Sequence, residues 1–279
     1  MNPNKPSRTA LMIARQRAAH QLLDHGSILH DPFAIRILRE DENDVLQFAT
    51  RHPLASIGRL FTAARSRIAE DALSAAIEKG IQQIVILGAG LDTFALRNPL
   101  RAPDIRIYEV DHPATQASKR ERLAEAQIAL PPGLVLVPVD FERDDLGEKL
   151  AAAGFLGNAP AFFTWLGVVP YLTEDAIGRT LAYISSIPNS EVVFDYLEPP
   201  EAFSEELRQL ERARAEQLEK MGERSDTRFE SAAIAAILRS HGFADLEDID
   251  FHQIASRFGP AIQSLAPGHL GAHVVHARH

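Results

Sequence analysis

No cysteine occurs among the 279 residues, so the chain has no disulfide framework, no thiolate nucleophile and no Cys-ligated zinc. Nor does any uninterrupted apolar stretch approach the roughly 18 residues that a membrane span needs. The N-terminal MNPNKPSR is polar and punctuated by proline, without the apolar centre of a secretory signal. A soluble, cytoplasmic protein is the expectation. Positive charge is also scarce: 29 Lys and Arg against 38 Asp and Glu leave a formal net charge of −9 with His neutral. That balance offers no basic field to DNA, RNA or an anionic membrane, and neither nucleic acid nor membrane is expected as a partner. No serine stands in a G-x-S-x-G turn, which removes the nucleophile elbow of a hydrolase triad.

What is present suffices for a sizeable core, since 46% of the residues are hydrophobic and the length suits one large α/β domain. The first 80 residues read as helices: 9–23 is rich in Ala, Leu and Arg, and Ile68, Ala72 and Ala76 recur every fourth residue before Gly80. Beyond Gly80, short β-branched runs alternate with helical stretches, the pattern of a parallel sheet with crossover helices. Strands are predicted over 84–87, 105–110, 134–139, 161–164, 191–196, 244–249 and 273–277. Helices are predicted over 113–129, entered through Asp111 and Pro113, over 173–186 with Thr173 as N-cap, and over 231–241 before Gly242. Residues 201–224 are charged and almost free of β-branched side chains, which predicts an inserted polar helix placed to act as a lid. The expected architecture is one domain over 1–279: a helical cap at 1–80, then a Rossmann-like, seven-stranded, mostly parallel sheet at 81–279 interrupted by the helical insertion.

The most informative segment runs from Ile84 to Thr93, a buried strand that passes directly into Gly88-Ala89-Gly90-Leu91-Asp92-Thr93. Gly88 and Gly90 let backbone approach a ligand closely, as a nucleoside site at a strand's carboxyl end requires; the competing reading is a tight turn with no ligand. The second strand decides between them. It ends in Tyr108-Glu109-Val110-Asp111, with Glu109 19 residues past Gly90 (109 − 90), where such folds hold a ribose diol. The period of 2 puts Glu109 and Asp111 on one side, so either could reach the sugar. The third strand ends in Asp140-Phe141, a carboxylate for an adenine amino group and a ring to flank the base. A dinucleotide fingerprint needs a third glycine where this chain has Thr93, which disfavours NAD and favours S-adenosylmethionine, an adenosine ligand without phosphate.

These residues resemble the leucine carboxyl methyltransferase and polyketide O-methyltransferase family of S-adenosylmethionine-dependent enzymes. The likeness is carried by Thr9-Ala10, Arg17-Ala18, Asp31-Pro32-Phe33-Ala34, Ala64-Arg65-Ser66-Arg67, the G-A-G-L-D-T turn, Glu109-Val110-Asp111-His112-Pro113, Val139-Asp140-Phe141 and Trp165-Leu166-Gly167-Val168. It implies that Arg65 pairs with the cofactor carboxylate, that Gly88, Ala89 and Gly90 line its methionine part, that Asp111 holds the ribose, and that Asp140 and Phe141 bind adenine. Many members carry a Glu after the fourth strand where this chain has Leu166, which sets it nearer the bacterial branch than the phosphatase-methylating one. Arg65 and Arg67 fall at the expected start of a helix, where a cation opposes the dipole and calls for a carboxylate partner.

Trp165 and Tyr171 follow the fourth strand and are candidates for the acceptor pocket. No catalytic residue is assigned; His112, Tyr171 and Asp195 are candidates for a general base by position only. The C-terminal histidines invite a metal reading, but on a strand over 273–277 His273 and His276 have opposite parity, and no H-E-x-x-H occurs. No metal is expected. The function expected is methyl transfer to a carboxylate or hydroxyl oxygen of a small molecule. The competitors are an NAD(P)-dependent oxidoreductase on a Rossmann fold and a non-catalytic S-adenosylmethionine-binding protein.

Overall fold

A computed structural model of the chain describes residues 6–51, 55–97, 104–203, 205–220, 222, 225–259, 262 and 270–279. Seven strands form one sheet: β1 (Gln83–Leu87), β2 (Arg106–Asp111), β3 (Leu134–Pro138), β4 (Ala161–Trp165), β5 (Glu191–Leu197), β6 (Asp245–Asp250) and β7 (Ala272–Arg278). Their order is β3-β2-β1-β4-β5-β7-β6. The pairs among β1 to β5 are parallel, whereas β7 runs antiparallel between β5 and β6. The expected seven-stranded, mostly parallel sheet is therefore observed, and each strand overlaps the segment predicted for it. The order reverses between β1 and β4, and a crevice at the carboxyl ends of strands is where open α/β sheets bind ligands.

Alternation along the strands divides the core in two. On one face Ile84, Ile86, Phe162, Val193 and Val274 pack against Leu60, Ala64, Ile68 and Leu73 of α3 (Ala55–Glu78), where the short α4 (Phe94–Arg97) also packs. On the other, Val85, Leu87, Phe163, Phe194 and Val275 meet the helices that cover them, after α5 (Pro113–Glu125): α6 (Leu146–Ala152), α7 (Glu174–Ser186) and, past α8 (Glu205–Lys220), α9 (Ser231–Ser240). A third cluster joins α1 (Arg8–Leu23), the 33–38 turn and α2 (Glu42–Thr50) through Ala14, Ala18, Ile37, Leu38 and Val45, and reaches α5 at Leu123.

Local chemistry explains the boundaries. Thr173 caps α7, its hydroxyl accepting from Ala176 N, and Glu174 and Asp175 sit in the positive first turn. Pro113 occupies the first turn of α5, where its missing N–H costs nothing. Three differences from the sequence reading stand out. Residues 65–67 lie mid-helix in α3, not at a helix start, so the dipole argument about Arg65 does not apply. The helix predicted over 113–129 ends at Glu125. Finally, α10 (Phe251–Phe258) follows β6 directly, opened by Asp250, whose side chain accepts from Gln253 N while the Gln253 side chain accepts from Asp250 N. The sequence reading assigned no element there, nor over α6. Among the described residues no helix is long and apolar enough to cross a membrane.

Candidate functional site

The carboxyl ends of β1, β2, β3 and β4 open into one cavity of about 630 Å³, within the range of small-molecule sites. Arg65, Gly88, Ala89, Gly90, Asp111, Asp140, Phe141 and Tyr171 all line it, brought together from segments far apart in the chain.

The glycine turn takes a form only glycine adopts easily, with φ of +66° at Gly88 and +52° at Gly90. A Cβ on Gly88 would stand 2.2 Å from Val168 Cγ2, and one on Gly90 would stand 3.0 Å from Ala10 Cβ. The glycines thus admit the loop after β4 and helix α1 as well as leaving backbone open to the cavity. Asp111 fastens the turn from the next strand: its Oδ2 accepts from Gly90 N and its Oδ1 from His112 N at 2.6 Å. Each carboxylate oxygen has a second lone pair, so the group keeps acceptor capacity for a ligand diol. Burial pushes the Asp111 carboxyl above its ordinary value, against the pull of those two backbone N–H groups.

Glu109 is not part of the cavity, contrary to the sequence expectation. The parity was right, but two residues back along a strand is about 6.6 Å, and at that depth the side chain lies under α5. There it is buried against Lys119 in an ion pair of 2.5 Å, with Gln116 Nε2 donating to its backbone carbonyl. Trp165 is displaced from its expected place too. It shares the parity of Phe163, points to the face covered by α7 and α9, and packs its ring 6.0 Å from that of Phe194 with no exposure. Leu166, one residue on, lines the cavity instead.

Asp140 combines two roles, since its Oδ1 accepts from Glu142 N at 3.1 Å, a local turn bond, while the residue also faces the cavity. Of the three base candidates, Asp195 is engaged elsewhere: Oδ2 accepts from Arg65 Nη1 at 2.6 Å and Oδ1 from Gly167 N at 2.5 Å. His112 lines the cavity, and its Nδ1 accepts from Ala114 N at 3.2 Å, which leaves the neutral ring with its proton on Nε2. Tyr171 lines the cavity as well. His273 and His276 face opposite sides, stacked on Tyr196 at 4.8 Å and bonded to Glu191 at 2.7 Å respectively.

Several residues were given no site contact in the sequence reading. Arg17 of α1 is buried, pairs with Asp92 at 3.1 Å, also donates to Leu91 O, and lines the cavity with Asp92. Burial would raise the Asp92 carboxyl, but Arg17, Lys119 and Arg97 outweigh it and hold the group below its usual range. Thr93, which stands where a dinucleotide site has glycine, is fully buried and donates to Asp31 Oδ2 at 2.6 Å. The Asp31-Pro32-Phe33 motif and the D-T end of the turn are therefore two halves of one contact. Past α8, Thr227 donates to Leu172 O at 2.5 Å, and Gly222, Asp226 and Thr227 close one wall, whereas the polar helix expected to act as the lid contributes no described residue to the lining.

Known proteins resemble the chain in sequence and in fold. The YktD protein of Bacillus subtilis (strain 168), named as an S-adenosyl-L-methionine-dependent methyltransferase, is 32% identical over 225 residues, covering 70% of this chain and 72% of that protein. A Mycolicibacterium smegmatis (strain ATCC 700084 / mc(2)155) protein of the same designation is 31% identical over 226 residues, covering 76% of this chain and 70% of its own. Among solved structures, one from Thermobifida fusca YX titled as a methyltransferase superposes with a TM-score of 0.56 at 17% identity, covering 99% of this chain and 95% of that one, a likeness of fold. The sequence profile of the leucine carboxyl methyltransferase family matches residues 10–185, and the chain belongs to that family of methyltransferases.

Proposed function

We propose that the protein transfers a methyl group from S-adenosylmethionine to an oxygen of a small molecule, a carboxylate or a hydroxyl. The observation that carries this reading is the convergence of Arg65, the Gly88–Gly90 turn, Asp111 and Asp140 with Phe141 on one cavity at the carboxyl ends of four adjacent strands. The names of the relatives support the cofactor. The residues fit it group by group. Arg65 keeps its Nε without a partner and faces a carboxylate with a guanidinium. The backbone of the glycine turn would hold the methionine part, Asp111 would accept from the ribose hydroxyls, and Asp140 with Phe141 would take the adenine.

When bound, the cofactor supplies a methyl group already activated by the sulfonium. The protein then has to orient the acceptor oxygen in line with that methyl group and keep water out. Tyr171, Leu166, Val168 and the Asp226-Thr227 segment form the wall that does so. A carboxylate acceptor needs no general base near neutral pH. For a hydroxyl acceptor, Tyr171 and the carboxylates of Asp140, Glu142 and Asp226 line the cavity and are the groups placed to take up the proton.

Titration calorimetry tests the reading. S-adenosylmethionine and S-adenosylhomocysteine should each bind in a 1:1 ratio while NAD gives no heat, and a panel of hydroxy acids and phenols should then yield a methyl ester or ether. NAD binding without S-adenosylmethionine binding would reject the methyltransferase reading in favour of an oxidoreductase. Cofactor binding with no product from any acceptor would favour a non-catalytic binder.

A further inference from the structure

One buried carboxylate near the cavity has no part in the reading above. Asp195 lies on β5, only 3% exposed, on the sheet face that carries α3, and it does not line the cavity. Its two oxygens bind two different elements: Oδ2 accepts from Arg65 Nη1 of α3 at 2.6 Å, and Oδ1 accepts from Gly167 N, in the loop after β4, at 2.5 Å. Gly167 has φ +72°, and a Cβ there would stand 2.7 Å from Arg65 Nη2 and 3.2 Å from the guanidinium carbon. The guanidinium therefore rests against a bare Cα. From the side of its own helix, Phe61 places a ring centroid 5.7 Å from that carbon.

Held on three sides, Arg65 uses Nη1 alone. Its Nε is buried without a hydrogen-bond partner, and among the described residues Nη2 donates none. The Nε–H and Nη2–H bonds of a guanidinium point the same way and form the fork that grips a carboxylate with two parallel bonds.

We propose that Asp195 is the positioning residue for Arg65: it neutralises and orients the guanidinium in the free protein so that the Nε/Nη2 fork meets the amino-acid carboxylate of the cofactor, with Gly167 leaving room for that orientation. The inference rests on the S-adenosylmethionine reading of the site. Two physical effects favour the arrangement. An arginine side chain loses much rotamer freedom when it is held, and fixing it before binding lowers the cost of binding. A buried cation also needs a counter-charge when no ligand is present, and Asp195 supplies it through a different edge of the guanidinium.

The test compares S-adenosylhomocysteine with 5′-methylthioadenosine, which keeps the nucleoside and the sulfur but lacks the carboxylate. Asp195→Ala should weaken S-adenosylhomocysteine at least tenfold and leave 5′-methylthioadenosine within about twofold. Asp195→Asn keeps one acceptor oxygen, for Arg65 or for Gly167 N but not for both, so it should recover only part of the loss, and it serves if the alanine variant does not fold. The double variant Arg65→Ala/Asp195→Ala should bind S-adenosylhomocysteine no more weakly than Arg65→Ala alone, since both act through one contact. Equal loss for both ligands, or additive losses in the double variant, would reduce Asp195 to a fastener between α3 and the sheet and overturn the proposal. If the unaltered chain binds 5′-methylthioadenosine and not S-adenosylhomocysteine, the proposal falls while an adenosine site remains; if it binds neither, the cofactor reading itself falls.

Discussion

Asp111 and Glu109 differ by two positions on one strand and have opposite fates. Both are buried acids whose carboxyls are pushed upward by burial, yet Lys119 answers Glu109 with a charge while Asp111 is answered by the backbone N–H groups of Gly90 and His112. Only the second arrangement leaves the carboxylate at the cavity wall. Asp111→Ala should therefore weaken S-adenosylhomocysteine by roughly 1.5–3 kcal/mol, the range for a hydrogen bond to a charged group, as read by calorimetry. Glu109→Ala, by contrast, should register in unfolding experiments, because it strands the Lys119 ammonium. A loss of affinity from Glu109→Ala with Asp111→Ala unaffected would reverse the assignment. Parity along the strand, visible in the sequence, placed both acids on the correct side. How far each sits from the strand's end, and which helix covers it, is a matter of packing.

At the scale of elements, the fit between the cap and the glycine turn explains residues that a ligand alone does not. Helix α1 touches the turn through Ala10 and Arg17, and the 31–33 segment touches it through the bond from Thr93 to Asp31. Arg97 adds a pair with Glu70 of α3 at 2.6 Å and approaches Asp31 to 3.7 Å. The threonine in place of a third glycine thus has a structural task, which the sequence could register only as a departure from the dinucleotide pattern. Thr93→Val keeps the shape and removes the donor, leaving Asp31 Oδ2 without that bond. It should lower stability by about 1–3 kcal/mol in urea unfolding. A change within experimental error would mean that Arg17, Arg97 and apolar packing hold the cap without that bond.

Over the whole molecule, the last three strands are tied together by a polar network well away from the cavity. Asp248 of β6 accepts from Tyr196 Oη of β5 at 2.6 Å, from Ser231 Oγ of α9 at 2.7 Å, and pairs with His273 Nδ1 of β7 at 3.0 Å. Burial opposes charge on both members, but their mutual hydrogen bond and attraction prevail. His273 is raised above 6.5, with help from Glu198 and Asp250, and Asp248 is held below 3.8 with help from Tyr196 and Ser231. A histidine with a raised folded pKa contributes stability that is complete below its unfolded value and is lost as pH rises through the folded one. A carboxyl with a lowered folded pKa contributes stability that is complete above its unfolded value and is lost as pH falls through the folded one. The network should therefore be strongest between these limits. In urea unfolding, the stability advantage of the natural protein over His273→Gln should shrink as pH rises from about 6 to about 9. An advantage that grows with pH would contradict the charged pair.

The strands, the glycine turn, Pro113 at the start of α5, the cap of α7 and the acids at the strand ends were legible in the sequence because each is written in neighbouring residues, through periodicity, turn chemistry or spacing. The polar helix α8 was legible for the same reason. Partnerships across the chain were not. Arg65 and Asp195 stand 130 residues apart, Thr93 and Asp31 stand 62 apart, and no local pattern links either pair. Trp165 left its expected place, and Leu166 lines the cavity, because one step along a strand turns a side chain to the opposite face of the sheet. Which face the cavity opens from depends on how α3, the loop after β4 and the cap close over the strand ends. Those contacts follow from packing in three dimensions, where the burial of a charge or a ring depends on everything around it rather than on its neighbours in the chain.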